Sequence, residues 1–234
     1  MKKSGIRKAL NAVEVSVYSV MPDADGVIDV TLDAAEQASQ KTAMTYDKLG
    51  DNHYDLLSAL QKSIRGSDAD AAIHYVARLV CAGDLISICR RLMVIACEDV
   101  GLAYPQAVTI VKSCVDCAMQ LGFPEAKIPL AEAAILLATA PKSNSAYIAI
   151  GKAISDIEHG KTGTVPRNLQ NVHCDGDEVK NKGQHYLYPH DYPNHYVKQQ
   201  YMPDNLKGTV YYVPGENKFE QNADLYQKKI KNTD

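Results

Sequence analysis

The stretch from Asp51 to Val80, DNHYDLLSALQKSIRGSDADAAIHYVARLV, narrows the possible folds more than any other part of the chain. Its first half places Tyr54, Leu57 and Ile64, flanked by Leu56 and Leu60, at the three- and four-residue spacing of one broad helix face. Asp51 or Asn52 is positioned to cap the start, and Gly66 stops the helix. Lys62 and Arg65 put positive charge on the last turn, where unpaired carbonyls and the helix dipole favour it. Ser67 or Asp68 then caps a second helix at once. The result is an αα-hairpin, and a chain built around one must bury its apolar faces against further helices.

The flanking sequence extends that reading. Ser4 to Val20 has a helical pattern with Leu10, Val13 and Val17 on its apolar side. It starts so soon after the first residue that it reads as a cut through a larger protein. Asp25-Gly26 signals a turn, Val27 to Val30 a short extended piece, and Thr31 a cap for a helix to about Met44, followed by a polar connector to Gly50. Beyond the hairpin, Asp84 caps a helix from Leu85 to about Val100. Tyr104-Pro105 opens another to Leu121, closed by Gly122. Pro129 starts the most apolar helix, LAEAAILLATA, expected at the buried centre and ended by Pro141; Ser143 or Asn144 caps the next, to about His159. Short connections favour antiparallel neighbours, so the expected fold is an all-α helical bundle.

From Gly160 onward proline, glycine, histidine and tyrosine dominate. Seven tyrosines between Tyr186 and Tyr212 are too many for a disordered tail. They predict an extended C-terminal arm whose rings lie on the helices and whose hydroxyls reach polar groups, with a short exposed helix from about Phe219 to Lys231. The parts are therefore 1–45, 46–160 and 161–234.

Charge and apolar content limit the functions open to the chain. Its 234 residues are 46% hydrophobic and 23% charged, enough to bury a core in one or two domains. A net charge of −3 and a pI near 6.2 argue against a dedicated nucleic-acid arm or an anionic-membrane binder. No run reaches the roughly 18 apolar residues that span a bilayer, so the reading is cytoplasmic with no membrane partner. Cys81, Cys89, Cys97, Cys114 and Cys117 sit in apolar helical patterns and, with Cys174, read as reduced and mostly buried thiols.

No motif carries catalytic chemistry. Gly160-Lys161-Thr162 resembles the end of a P-loop, but no strand precedes it and Pro166 follows where a helix should continue, so it reads as a helix-terminating loop. His173, Cys174, His185, His190 and His195 are ligand-type residues without the paired short spacings of a zinc site, and no metal is expected. Cys114 and Cys117 form a CxxC inside an apolar helix, where core packing is the better reading. Glu98 and Asp99, adjacent on a helix, point about 100° apart and do not face each other as an acid/base pair; Glu98 is placed instead to meet a basic residue from a neighbouring helix. Ser67 and Ser143 are accounted for as caps.

Four blocks in order carry a family resemblance: SALQKSIRGSDADAAIHYVARLV, CRRLMVIACEDVGLAYPQA, IPLAEAAILLATAPKSNSAY and YPHDYPNHYVKQQYMPDNLKG. They resemble the C-terminal half of the replication-associated recombination protein A (RarA, or MgsA) family of AAA+ ATPases, related to the Werner-helicase-interacting ATPase and to clamp loaders. The resemblance implies a clamp-loader-like helical oligomerisation domain that forms homotetramers. It also implies a DNA-dependent ATPase that acts at replication forks in maintenance and recombination, is nucleoid-associated, and works with single-strand-binding protein. The segment GIRKALNAVE is similar to the family's ATPase lid, with Arg7 in the place of the sensor-2 arginine that approaches nucleotide phosphates. Ser4-Gly5-Ile6 departs from the family's GD-x before that arginine. ATP and magnesium would be held by the full-length protein, whose Walker motifs and arginine finger lie upstream; the chain itself would be neither an enzyme nor a cofactor binder.

These readings converge on residues 1–45 as the end of an AAA+ lid, 46–160 as the helical oligomerisation domain and 161–234 as the arm. Lys62 and Arg65 are the candidates for partner or nucleic-acid contact. The alternative is a stand-alone helical adaptor that binds a replication or repair protein.

Overall fold

Side-chain caps start some of the helices of the computed structural model, while others, including the helix expected to be capped by Ser143 or Asn144, begin without a side-chain cap bond. The structure describes residues 51–171 and 186–231, together with 13–14, 16–18, 20–23 and 26–32. By contact the chain divides into two compact units, Met1–Leu56 and Leu57–Asp234, the division falling inside a helix.

In the first unit, residues 13–14 and 16–18 are helical. A tight turn follows: Asp23 accepts the N–H of Val27 through Oδ1 at 2.8 Å and that of Gly26 through its carbonyl at 3.0 Å. Gly26 has φ +76°, the turn residue that Asp25-Gly26 signalled. Val27 to Val30 is irregular, and Thr31 stands directly before the helical Leu32. Arg7, the rest of that helix and the connector to Gly50 lie outside the described residues.

The second unit is all-α. Its helices are α1 (Asp51–Arg65, begun in the first unit), α2 (Ala69–Cys81), α3 (Leu85–Ile95), α4 (Gln106–Leu121), α5 (Lys127–Thr139), α6 (Ser145–Glu158) and α7 (Lys218–Lys231). No strand occurs among the described residues, and no helix there is long and apolar enough to cross a membrane. α5 packs along both α2 and α4 and buries Leu130, Ala133, Ala134 and Leu137. Small residues on two sides allow both neighbours to approach closely. Leu60, Ile64, Leu79, Ile88, Leu92 and Ile95 complete the core. α5 is central without being wholly buried, because Ile128 and Ile135 remain on an open edge.

Several boundaries differ from expectation. Asp68, not Ser67, caps α2, accepting the Ala71 N–H at 2.9 Å. The left-handed residue of that turn is Ser67 (φ +60°) rather than Gly66, and the Ser67 hydroxyl accepts from Lys142 Nζ at 3.1 Å. α5 begins two residues before Pro129, which sits in the first turn where its missing N–H leaves no bond unmade. The helix expected from Leu85 to Val100 ends at Ile95 and continues as a π-turn (Ala96–Val100) and a 3-10 turn (Gly101–Ala103). Close approach of another segment explains the break: Gly101 has φ +47°, and a Cβ there would lie 2.6 Å from the Ser143 carbonyl oxygen. Only glycine fits both constraints. Of the cysteines expected to be mostly buried, Cys89 and Cys114 are; Cys81, Cys97 and Cys117 lie on outer faces. All five are free thiols.

Candidate assembly surface

Three features of the second unit carry unusual chemistry. The first joins the end of α1 to the π-turn. Arg65 donates through Nε to Asp99 and through Nη2 to Glu98 at 3.0 Å. Gln61 Nε2 donates to the other Asp99 oxygen at 3.2 Å, and Arg91 Nη1 donates to Gln61 Oε1 at 2.6 Å. Asp99 is buried, and its hydrogen bond to Arg65 is the main cause that raises the guanidinium pKa above its ordinary value. Glu98 thus meets a basic residue from a neighbouring helix, as its position predicted. The more deeply held partner is Asp99, which the π-turn swings inward. A paired, hydrogen-bonded carboxylate of this kind closes a junction and is not a general base. Lys62 stays exposed, and no bond of its side chain is found among the described residues. Of the two flagged residues only Arg65 enters the junction.

The second feature is Glu220, near the start of α7, whose side chain is completely buried. Asn217 caps α7, accepting the Glu220 N–H at 3.0 Å, and its amide donates back to the Glu220 carboxylate. Ser143 donates to that carboxylate at 2.6 Å, Tyr212 at 3.0 Å, and Ser145 completes the set from the first turn of α6. Burial by itself pushes this carboxyl's pKa up. The Ser143 and Ser145 hydroxyls, the Asn217 amide and the Gly215 N–H outweigh it and hold the pKa at about 2. A Cβ on Gly215 would lie 2.8 Å from Glu220 Oε2 and would push on the carboxylate. Ser143, expected to be a simple cap, is therefore the hinge of two contacts: its N–H donates to the Asp99 carbonyl at 2.9 Å and its hydroxyl to Glu220. The spacing Asn217-x-x-Glu220 was a visible capping signal; the partners 75 and 77 residues away were not.

The third feature is α6 itself. Tyr147, Ile150, Ile154 and Ile157 follow one another at spacings of three, four and three residues, which places them on one stripe. They are 57%, 57%, 47% and 57% exposed, and Ser145 is the one buried residue of the helix. This apolar face of α6 lies open in the chain.

The remaining candidates have structural explanations. Gly160 closes α6 at φ +80°, and Lys161 pairs with Asp156 at 3.1 Å, so Gly160-Lys161-Thr162 is a helix end. His190 packs between Tyr188 and His195, with ring centroids 5.1 and 4.9 Å away, and no group of three metal-type ligands occurs among the described residues. His173, Cys174 and His185 lie outside them. The arm departs from expectation: Tyr211 and Tyr212 do reach Asp156 and Glu220, but Tyr186, Tyr188 and Tyr201 keep much of their rings exposed. The arm is held there by its backbone, because the Gln199 amide donates to the Leu187 carbonyl at 2.7 Å and accepts its N–H at 3.2 Å. An open cavity of about 440 Å³ between the α6 start and the arm is lined by Lys142, Asn144, Ile148, Lys152, Tyr211 and Val213 among others.

Comparison with known proteins adds a family. Residues 66–231 match the family described as MgsA AAA+ ATPase C terminal, and residues 2–65 the family described as AAA C-terminal domain. The chain is 53% identical to the replication-associated recombination protein A of Bacillus subtilis, over 97% of this chain and 54% of that protein. It is 36% identical to its namesake in Escherichia coli K12, over 89% of this chain and 47% of that one. A third relative, ATPase WRNIP1 of Dictyostelium discoideum, is 33% identical over 80% of this chain and 22% of its own length. The chain spans about half the length of the bacterial relatives it matches.

Proposed function

The chain belongs to the MgsA AAA+ ATPase C-terminal family, and from that premise we propose that it is the assembly part of a replication-associated recombination AAA+ ATPase. Its helical domain gathers ATPase modules into a homotetramer. The single observation that carries this reading is the open apolar stripe on α6: four large side chains at helical spacing, each about half exposed. Each of these side chains is already about half covered, so completing its burial is favourable by about 1 kcal/mol, and a second subunit supplies the cover.

In this reading ATP and magnesium are bound by the full-length protein, with Arg7 as its sensor-2-like contribution from the lid. A planar, permanently charged guanidinium suits the role, because its fork matches phosphate oxygens. DNA and single-strand-binding protein are engaged through the full-length protein in the cytoplasm, at the nucleoid. Residues 1–45 form the lid end, 46–160 the oligomerising helices and 161–234 the arm. The two family matches meet between Arg65 and Gly66, in the turn of the hairpin, so the Arg65–Asp99 bond ties the last residue of one match into the other.

Light scattering of the chain at micromolar concentration tests the reading. The expected mass is four times that of one chain. A strict monomer overturns assembly, and a monomer that still retains a replication or repair protein moves the assignment to a helical adaptor.

A further inference from the structure

We propose that α7 is a releasable strap whose latch lies at the far end of a polar relay, so that withdrawing Arg65 from Asp99 frees the base of α7. Glu220 is the one buried residue of that helix, and most of the others face water. The base of α7 is held by the Glu220 bonds and by packing against the 3-10 turn Gly101–Ala103, which continues directly from the π-turn. Both holds depend on where the π-turn stands.

The relay passes through Ser143. Arg65 and Gln61 bond the Asp99 carboxylate, the Asp99 carbonyl accepts the Ser143 N–H at 2.9 Å, and the Ser143 hydroxyl donates to Glu220 at 2.6 Å. A buried carboxylate therefore sits at each end. Lys142 is the other cation that feels the Asp99 charge, and it is already engaged. Its Nζ donates to the Ser67 hydroxyl and to the carbonyls of Ala138 and Ala140 at 3.1, 2.9 and 2.6 Å.

Taking the partner from a buried charge leaves that charge uncompensated, which is strongly unfavourable. Without Arg65, Asp99 keeps the neutral Gln61 amide, and the π-turn lowers its energy by swinging the carboxylate out to water. That movement carries the Asp99 carbonyl away from Ser143. It also shifts Gly101, packed so closely that a Cβ would lie 2.6 Å from the Ser143 carbonyl oxygen. Ser143 cannot hold its place while both contacts move, so its hydroxyl leaves Glu220 and a second buried carboxylate loses a donor. Such packed contacts switch between discrete arrangements instead of deforming gradually, and π-turns recur at functional positions. Arg65 is half exposed and ends α1, a helix begun in the first unit, so a displacement of α1 acts directly on the latch. Linkage makes the coupling reciprocal: loosening Glu220 weakens the Arg65 junction to the same degree.

Trypsin cleavage of the full chain after Lys218, two residues before Glu220, reads opening at the base of α7. The protease is kept dilute, so that cleavage follows the open population. Arg65→Gln is expected to raise this rate about tenfold, and Glu220→Gln at least as much. The double variant should cleave no faster than the faster single variant, because both substitutions open one latch. Cleavage after Lys127, at the start of α5, should keep the wild-type rate. An unchanged rate after Lys218 in either single variant, or single effects that multiply in the double, overturns the relay. If Arg65→Gln speeds both sites alike, Arg65→Lys decides, since it keeps a charge beside Asp99 and loses the fork that also reaches Glu98. A rise after Lys218 alone upholds the relay, and any other result overturns it.

Discussion

The helices around α5 and the pair α6 and α7 both carry large apolar side chains and treat them in opposite ways. Around α5, leucines and alanines are covered by α2 and α4, and charged groups stay at the surface. On α6 and α7 the isoleucines and aromatic rings lie in water while the fully buried side chain is a carboxylate, Glu220. The first arrangement stabilises one chain. The second leaves apolar side chains open and holds the helices that carry them with polar bonds.

The sharpest expected difference is between two truncations. Leu137→Ala, in the covered face of α5, should lower stability by about 2–5 kcal/mol in denaturant unfolding, because it removes apolar contact and leaves a cavity. Ile154→Ala, measured on chains diluted to monomers, should change it by less than about 1 kcal/mol. Equal losses would mean that α6 is covered within its own chain.

Glu220 should give the next largest effect, through pH. Its folded pKa of about 2 lies below the ordinary 4.5, so the folded state prefers the charged form. The stabilisation is fully present above pH 4.5 and is lost as pH falls towards 2, amounting to about 3 kcal/mol at most. Glu220→Gln has no such titration. Subtracting the variant's pH–stability curve from that of wild type should leave a slope confined to this window; a flat difference would remove Glu220 as the anchor of α7.

Gly101→Ala should cost about 1–3 kcal/mol, since it places a Cβ against the Ser143 carbonyl in a left-handed conformation. A neutral result in thermal unfolding would show that the α6 start is held less closely to the π-turn than its 2.9 Å hydrogen bond indicates. Smallest of all, Gln199→Ala should lower stability by about 1 kcal/mol and raise amide exchange at Leu187, because one side chain supplies both hydrogen bonds to that backbone. Unchanged exchange would mean that the arm is fixed by other contacts.

Much of the fold was legible along the chain. Asp68 and Asp84 act as caps, Gly122 and Gly160 end helices at positive φ, and Pro105 and Pro141 bound helices where their chemistry requires. These signals act over three or four residues, which is the range a linear pattern can report. The apolar residues of α6 were legible as a helix but not as a surface, because periodicity shows that side chains share a face and is silent about what covers it.

What only the tertiary structure decided lies at contacts between distant residues. Arg65 looked like a charge on a helix end until the π-turn carried Asp99 to it from 34 residues away. Glu98 and Asp99, read as diverging neighbours, both reach that one guanidinium. Ser143 looked like a cap and became the meeting point of the π-turn, α6 and α7. By itself the sequence determined an all-α chain, its helix ends and its family, since those follow from local backbone chemistry and from shared blocks of residues. Which carboxylate is buried, which glycine admits a passing strand of backbone and which apolar stripe stays open depend on long-range packing, where the energy of a group is set by neighbours that no short window contains.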